Sequence, residues 1–182
     1  VLHLPPLCLK LLPVAMTLLI GYSYTKRFTP LCHAVLGITL ATPVIGARIA
    51  MLGVWEWTSL WLGLAVACWV CGFDVLYACQ DVDFDRANGV HSIPATIGVP
   101  ASMRLSLNLH RIVVPSLAVF GLCHGYPGRY FLGMAAIAAI LWWEHRVCLG
   151  GDLRRVEKAF FDANVMVSLT FLATAILTAP AL

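Results

Sequence analysis

Charge is what this sequence has least of. Asp, Glu, Lys and Arg make up 12% of its 182 residues, about half of the roughly 25% found in a water-facing domain. So few charges cannot coat a soluble globule, and a disordered tail is excluded because hydrophobicity is high rather than low. The 12 basic and 9 acidic residues leave a formal net charge of +3. That is too small a basic excess to track a phosphate backbone, so no nucleic-acid partner is expected. Low-complexity tracts, solenoid-like repeats and interdomain linkers are all lacking. So is a charged leader with a cleavage site ahead of the first apolar run. Cysteine is present but unpatterned. Most of the seven fall in apolar runs, where a free thiol packs as a small hydrophobe, and the C-x-x-C of Cys68 and Cys71 has no second pair to complete a zinc or redox site.

Hydrophobic length is abundant instead: 60% of residues are hydrophobic, and mean hydropathy is +0.86. A spanning helix needs about 20 mainly apolar residues. Six segments meet or approach that requirement: Leu4–Tyr22, Leu31–Gly53, Thr58–Cys79, Leu105–Gly125, Tyr130–Leu149 and Phe160–Pro180. The expected fold class is an all-α integral membrane protein of about six transmembrane helices, with the lipid bilayer as solvent. Pro13, Pro43 and Pro115 lie inside spans, which packed membrane helices tolerate. One side carries Lys26, Arg27, the stretch Asp81–Arg104, and Arg146 through Lys158. The other holds little beyond Glu56 and Arg129. The positive-inside rule makes the first side cytoplasmic, in a plasma membrane of the bacterial inner-membrane type. The first span then starts outside, and Val1 is not an initiator, so about three preceding spans are expected.

Ionisable groups at membrane depth are costly and are functional candidates by default. The densest cluster lies at Asp74, Tyr77, Asp81, Asp83, Asp85 and Arg86. If the third helix runs on to about Arg86, residues 74, 77, 81 and 85 share one face, with Asp81 and Asp85 stacked one turn apart. Two such carboxylates repel, and Mg²⁺ resolves the repulsion because it accepts one or two carboxylates together with substrate phosphates. A solvated acidic helix end is the alternative, which leaves the deeper Asp74 unexplained. Lys26 and Arg27 would neutralise a diphosphate, or clamp a carboxylate, or simply set topology. Arg86, His91 and Ser92 sit in a Gly-containing loop ending at Pro94, readable as a flexible lid. Glu144-His145-Arg146 reads as interfacial anchoring, Arg48 as a snorkelling charge, and the six tryptophans as an aromatic belt.

The pattern Asp74-x-x-Tyr77-Ala78-x-x-Asp81-x-x-x-Asp85 resembles the second aspartate-rich motif of the UbiA superfamily of intramembrane prenyltransferases. Tyr22-Ser23-Tyr24-Thr25-Lys26-Arg27-Phe28-Thr29 resembles that family's Tyr-Pro-x-x-Lys-Arg-x-Thr loop, with Ser23 where proline is usual. The run Tyr77–Gly98, together with Glu144-His145 and Ala159-Phe160-Phe161-x-x-Asn164, is most similar to the 4-hydroxybenzoate polyprenyltransferase-like branch. The resemblance implies a bundle of roughly nine helices around a central cavity, of which residues 1–182 form one transmembrane domain. It also implies Mg²⁺-dependent transfer from a polyprenyl diphosphate to an aromatic acid acceptor such as 4-hydroxybenzoate, in ubiquinone or menaquinone biosynthesis. Asp81 and Asp85 would be the metal ligands, with Asp74, Tyr77 and Arg27 near the chemistry. Tyr22, Lys26, Arg27 and Arg86 would contact the diphosphate or the acceptor. The family's first motif, Asn-Asp-x-x-Asp-x-x-x-Asp, does not occur here, so the chain by itself is expected to be inactive. A different acceptor is one alternative. A cation-coupled transporter is another, disfavoured because the acidic pattern has no second copy, and a non-catalytic membrane scaffold is a third.

Overall fold

The computed structural model describes the backbone of residues 4–148 and 153–178, and side chains over 4–148 and 160–178. The side chains of Arg154, Arg155 and Lys158, counted above as cytoplasmic charge, lie outside the described residues. Among the described residues every regular element is helical: α1 (Pro6–Thr25), α2 (Cys32–Leu52), α3 (Ser59–Ala78), α4 (Val82–Ala87), α5 (Ile93–Ile97), α6 (Val99–Cys123), α7 (Gly128–Cys148) and α8 (Leu153–Thr178). Among the described residues, six helices are long and apolar enough to cross a membrane: α1, α2, α3, α6, α7 and the Phe160–Thr178 part of α8. They match the six expected spans, and the short α4 and α5 fill the 79–98 connection. In hydrocarbon every backbone N–H and C=O must find a partner within the chain, and helices meet that demand.

Turn chemistry fixes where the spans end. Gly53 closes α2 in the left-handed region at φ 75°, its N–H donating to the Ile49 carbonyl. Gly125 (φ 62°) lets the Tyr126 N–H reach back to the Gly121 carbonyl at 2.9 Å. Both positions favour glycine because a Cβ is strained there. Pro13, Pro43 and Pro115 stay inside α1, α2 and α6, as expected.

Helix α3 is the axis of the bundle. It packs on α2 and α6, touches α8, and is the most buried of the six spans. Contact between helices in lipid depends on close backbone approach. A Cβ added at Gly37 would stand 2.4 Å from the Ala67 carbonyl oxygen, so α2 lies almost backbone to backbone on α3. The main core joins Leu62, Ala65 and Cys68 of α3 to Val113, Leu117 and Phe120 of α6 and to Tyr130, Met134, Ile137 and Leu141 of α7. Beside it, Val44, Leu62, Val66, Trp69, Leu117, Ile137, Val167 and Phe171 help line an apolar cavity of about 270 Å³.

At the end of α3 the structure corrects the sequence reading. The helix stops at Ala78 instead of running to Arg86. The N–H groups of Cys79, Gln80 and Asp81 donate to carbonyls three residues back, at 3.2, 3.0 and 3.1 Å. This tighter turn changes the rotation per residue, so Asp85 leaves the expected stripe, while Asp74, Tyr77 and Asp81 still line one cavity. Asp81 becomes the N-cap of α4, and the Asp85 N–H donates to its carbonyl at 2.8 Å. The 88–98 segment is not a free lid either. The His91 N–H donates to the Lys26 carbonyl at 3.0 Å, Ser92 is fully buried, and its hydroxyl caps α5 at Ala95 N.

Candidate active site

The two ends of α3 meet different surroundings. At the Ser59 end, Arg48 pairs with Glu56, whose carboxylate also contacts His124 Nε2 at 3.0 Å and accepts from the Ser59 hydroxyl at 3.1 Å. The Arg48 hydrogen bond holds the Glu56 carboxyl low, at about 2. Burial opposes that shift, and His124 and Ser59 add to it. Arg48 therefore does not snorkel: the Glu56 carboxylate after α2 and the His124 ring at the end of α6 meet its guanidinium inside the protein.

At the other end a second cavity of about 270 Å³ opens. Tyr22, Ser23 and Lys26 line it from α1 and its C-cap, Cys32, His33 and Leu36 from α2, and Asp74, Tyr77, Ala78 and Asp81 from α3 and the turn beyond. Asp74 is a span carboxylate and needs a partner. His33, in the first turn of α2, supplies it: Nδ1 lies 2.6 Å from Asp74 Oδ2. The opposite ring nitrogen, Nε2, accepts from the Ile93 N–H at 3.4 Å. These two contacts suit the neutral ring that carries its proton on Nδ1. His33 thus joins Asp74 to the start of α5. It went unnoticed in the sequence because a single histidine in an apolar run gives no periodic signal. The available cue was that two ionisable residues at similar depth in neighbouring spans tend to pair.

The other candidates divide into two groups. Asp81 is exposed and lines the cavity, whereas Asp85 is 1% exposed and bonds Lys26 Nζ at 3.3 Å through Oδ1, leaving Oδ2 buried without a partner. Tyr22, Lys26 and Tyr77 line the cavity, and Tyr77 packs against Phe160 of α8 with ring centroids 5.0 Å apart. Two arginines stand outside the lining. Arg27 is exposed, its guanidinium 5.6 Å from the Tyr24 ring centroid. Arg86 donates through Nε to the Ala95 carbonyl at 3.1 Å, bracing α5. The separation arises because the α1 turn directs neighbouring residues 26 and 27 to different sides, and the α3 break carries Arg86 away with α4.

Glu144 and His145 also differ from expectation. They are buried, at 1% and 7% exposure, and only Arg146 stays at the surface region, stacked 4.8 Å from the Trp142 ring centroid. Among the described residues, the one group of three His, Cys, Asp or Glu whose ligand atoms all lie within 4.8 Å is His110, Glu144 and His145. The aspartates of the cavity form no such closed set.

Comparison with known proteins gives the arrangement its relatives. A 4-hydroxybenzoate octaprenyltransferase of Shewanella denitrificans is 30% identical over 181 residues, which are 96% of this chain and 59% of that protein. One from Paracidovorax citrulli is 33% identical over 133 residues, 71% of this chain and 44% of its own. One from Cronobacter sakazakii is 27% identical over 162 residues, 89% and 56%. The chain therefore spans about half the length of the curated relatives it matches. An apo structure of a UbiA homolog from Aeropyrum pernix K1 superposes with a TM-score of 0.84 at 28% identity, over 96% of this chain and 65% of that one. The model of the UbiA prenyltransferase family matches residues 1–176, and this integral membrane chain belongs to that family.

Proposed function

We propose that the chain carries the second-motif half of the active site of an aromatic prenyltransferase. The whole protein would move a polyprenyl group from its diphosphate to a 4-hydroxybenzoate-like acceptor in quinone biosynthesis. The observation that supports this best is the pairing of two cavities along α3. The polar one contains Asp74, Asp81, Lys26 and two tyrosines. The apolar one reaches Trp69, five residues or about 8 Å earlier along the helix. A substrate with an anionic head and an oily tail needs both environments side by side.

The donors suit Mg²⁺, a hard ion that prefers oxygen. Asp81 offers an exposed carboxylate, and Asp85 retains a buried oxygen without a partner. Asp81 and Asp85 would hold the ion, with the remaining ligands coming from the diphosphate and from the part of the protein that bears the family's other acidic motif. When bound, it would neutralise the departing diphosphate. Lys26, whose ammonium is already beside Asp85, would take a share of the same negative charge. As the C1–O bond breaks, the diphosphate leaves with the electron pair and an allylic cation remains. Asp74, oriented by His33, would stabilise that cation and take the ring proton once the new carbon–carbon bond has formed. The Tyr77–Phe160 contact would exclude water that competes with the acceptor.

The test is prenyl transfer by the full-length protein with Asp81→Asn, scored alongside membrane insertion. Transfer should be lost with insertion intact; near-normal transfer would overturn the reading. Residues 1–182 expressed without added sequence should insert and remain inactive, and normal turnover would refute the half-site idea. Lys26, Arg27 and the 79–98 segment would face the cytoplasm of a bacterial cell, which accessibility labelling of an introduced cysteine would check.

A further inference from the structure

The cluster between α6 and α7 plays no part in the reaction just described. His110 of α6 and Glu144 and His145 of α7 are 3%, 1% and 7% exposed, in the interior of a bundle that has few charges to spend. His110 Nε2 lies 3.3 Å from the Trp69 carbonyl, an acceptor, so Nε2 carries the proton. Nδ1 then presents a lone pair. It accepts from His145 Nε2–H at 3.0 Å, a proton that a bound metal would displace, and lies 3.3 Å from Glu144 Oε2.

The Glu144 contact is close without being a hydrogen bond: neither of its carboxylate oxygens has a hydrogen-bond partner, although both are buried. A buried carboxylate with no donor is expensive, and a neutral His110 with its proton on Nε2 cannot supply one. A protonated His110 would make an ion pair, but a second imidazole nitrogen already faces the same atom. Two of the three spacings fit another arrangement, and the third, from Glu144 to His145, is wider but within 4.8 Å. In a tetrahedral site with bonds of about 2.0–2.1 Å, neighbouring ligand atoms are about 3.3 Å apart. A ligating histidine that donates its other N–H to a backbone carbonyl is the usual outer support.

The surrounding helix is shaped to accept the His110 ring. A Cβ at Gly72 would stand 2.4 Å from its Cδ2 and Nε2, so glycine there lets the imidazole lie on α3. Ser106, one turn before His110, fixes the same approach by donating to the Gly72 carbonyl at 2.7 Å.

We infer that His110, Glu144 and His145 form a binding site for a borderline divalent transition metal, zinc above all. Two imidazoles and one carboxylate suit that class better than Mg²⁺. The ion would supply the counter-charge that Glu144 lacks and would tie α6 to α7. This site is separate from the Asp81 cavity, and the inference does not rest on the proposed reaction.

The experiment is elemental analysis of the full chain purified in detergent, loaded with zinc chloride and desalted, with cobalt substitution as a second readout. Zinc close to one per chain is expected, together with the visible absorption of tetrahedral cobalt, bleached by added zinc. Glu144→Gln and His145→Ala should both lose the metal, whereas Asp81→Asn should keep it. Wild-type protein that retains no zinc and gives no cobalt absorption would overturn the site and leave a histidine–carboxylate ion pair. Equal retention by Glu144→Gln and His145→Ala would overturn it too. If those variants fail to fold, the cobalt spectrum of the wild type decides alone.

Discussion

The two ends of α3 hold similar residues and use them differently. At the Ser59 end one cation and one anion, Arg48 and Glu56, balance each other beside His124 and Ser59, although Arg48 Nε is buried without a partner. At the Asp74 end, the cavity lining holds two carboxylates and one lysine, that lysine is shared with a third acid, and Asp85 Oδ2 is left without a partner. A balanced network holds helices together. An unbalanced one facing a cavity is prepared for a charged visitor, so polar residues in a membrane bundle are better judged by their charge balance than by their number.

Mutations would break or sharpen this contrast. The largest effect should come from Asp81→Asn in the full-length protein: about a thousandfold loss of turnover, roughly 4 kcal/mol, with the melting temperature unchanged. A loss of stability instead would make the open end structural after all. His33→Ala should follow, at about a hundredfold in kcat, the size expected when one group orienting a charged side chain is removed. Asn at position 33, which can donate to Asp74, should restore part of it. Unchanged kcat in both would remove His33 from the site.

The closed half of the contrast is read by stability. Gly37→Ala should cost about 2 kcal/mol, as overpacking does, because the new Cβ meets backbone at Ala67 rather than a side chain that can move; thermal melts in detergent check it. The smallest effect belongs to Glu56. Its carboxyl titrates at about 2 in the folded protein against 4.5 as the reference value. The pair's contribution is therefore complete above pH 4.5 and lost as pH falls through about 2. For a partly exposed pair this is about 1 kcal/mol. Melting temperature should drop across that window in the wild type and less steeply in Glu56→Gln.

Much of this could be read from the residues. The six spans follow from apolar runs that leave no other way to satisfy the backbone, and Asp74 and Asp81 stood out as acids beside hydrocarbon. The break after Ala78 could not be read, because Gln80 and Asp81 fit a helix exit as well as its continuation. Tertiary contacts with Lys26 and the 91–93 backbone decided between the two. His33 and His110 were missed because each is a single histidine whose meaning lies on another helix. Glu144-His145-Arg146 misled as a trio, since adjacent residues on a helix point in different directions and only the last reaches the boundary.

Helix α1 buries none of its residues, yet Tyr22 and its capping residue Lys26 form one wall of the polar cavity. The faces it leaves bare are open to further spans that a protein of its relatives' length would supply. The same helix would then be a wall of the chamber on one side and a seam with the rest of the bundle on the other, so its position would be set from both. A bulky change at Ile20, exposed here, should disturb transfer in the full-length protein; unchanged rates would show that nothing packs there.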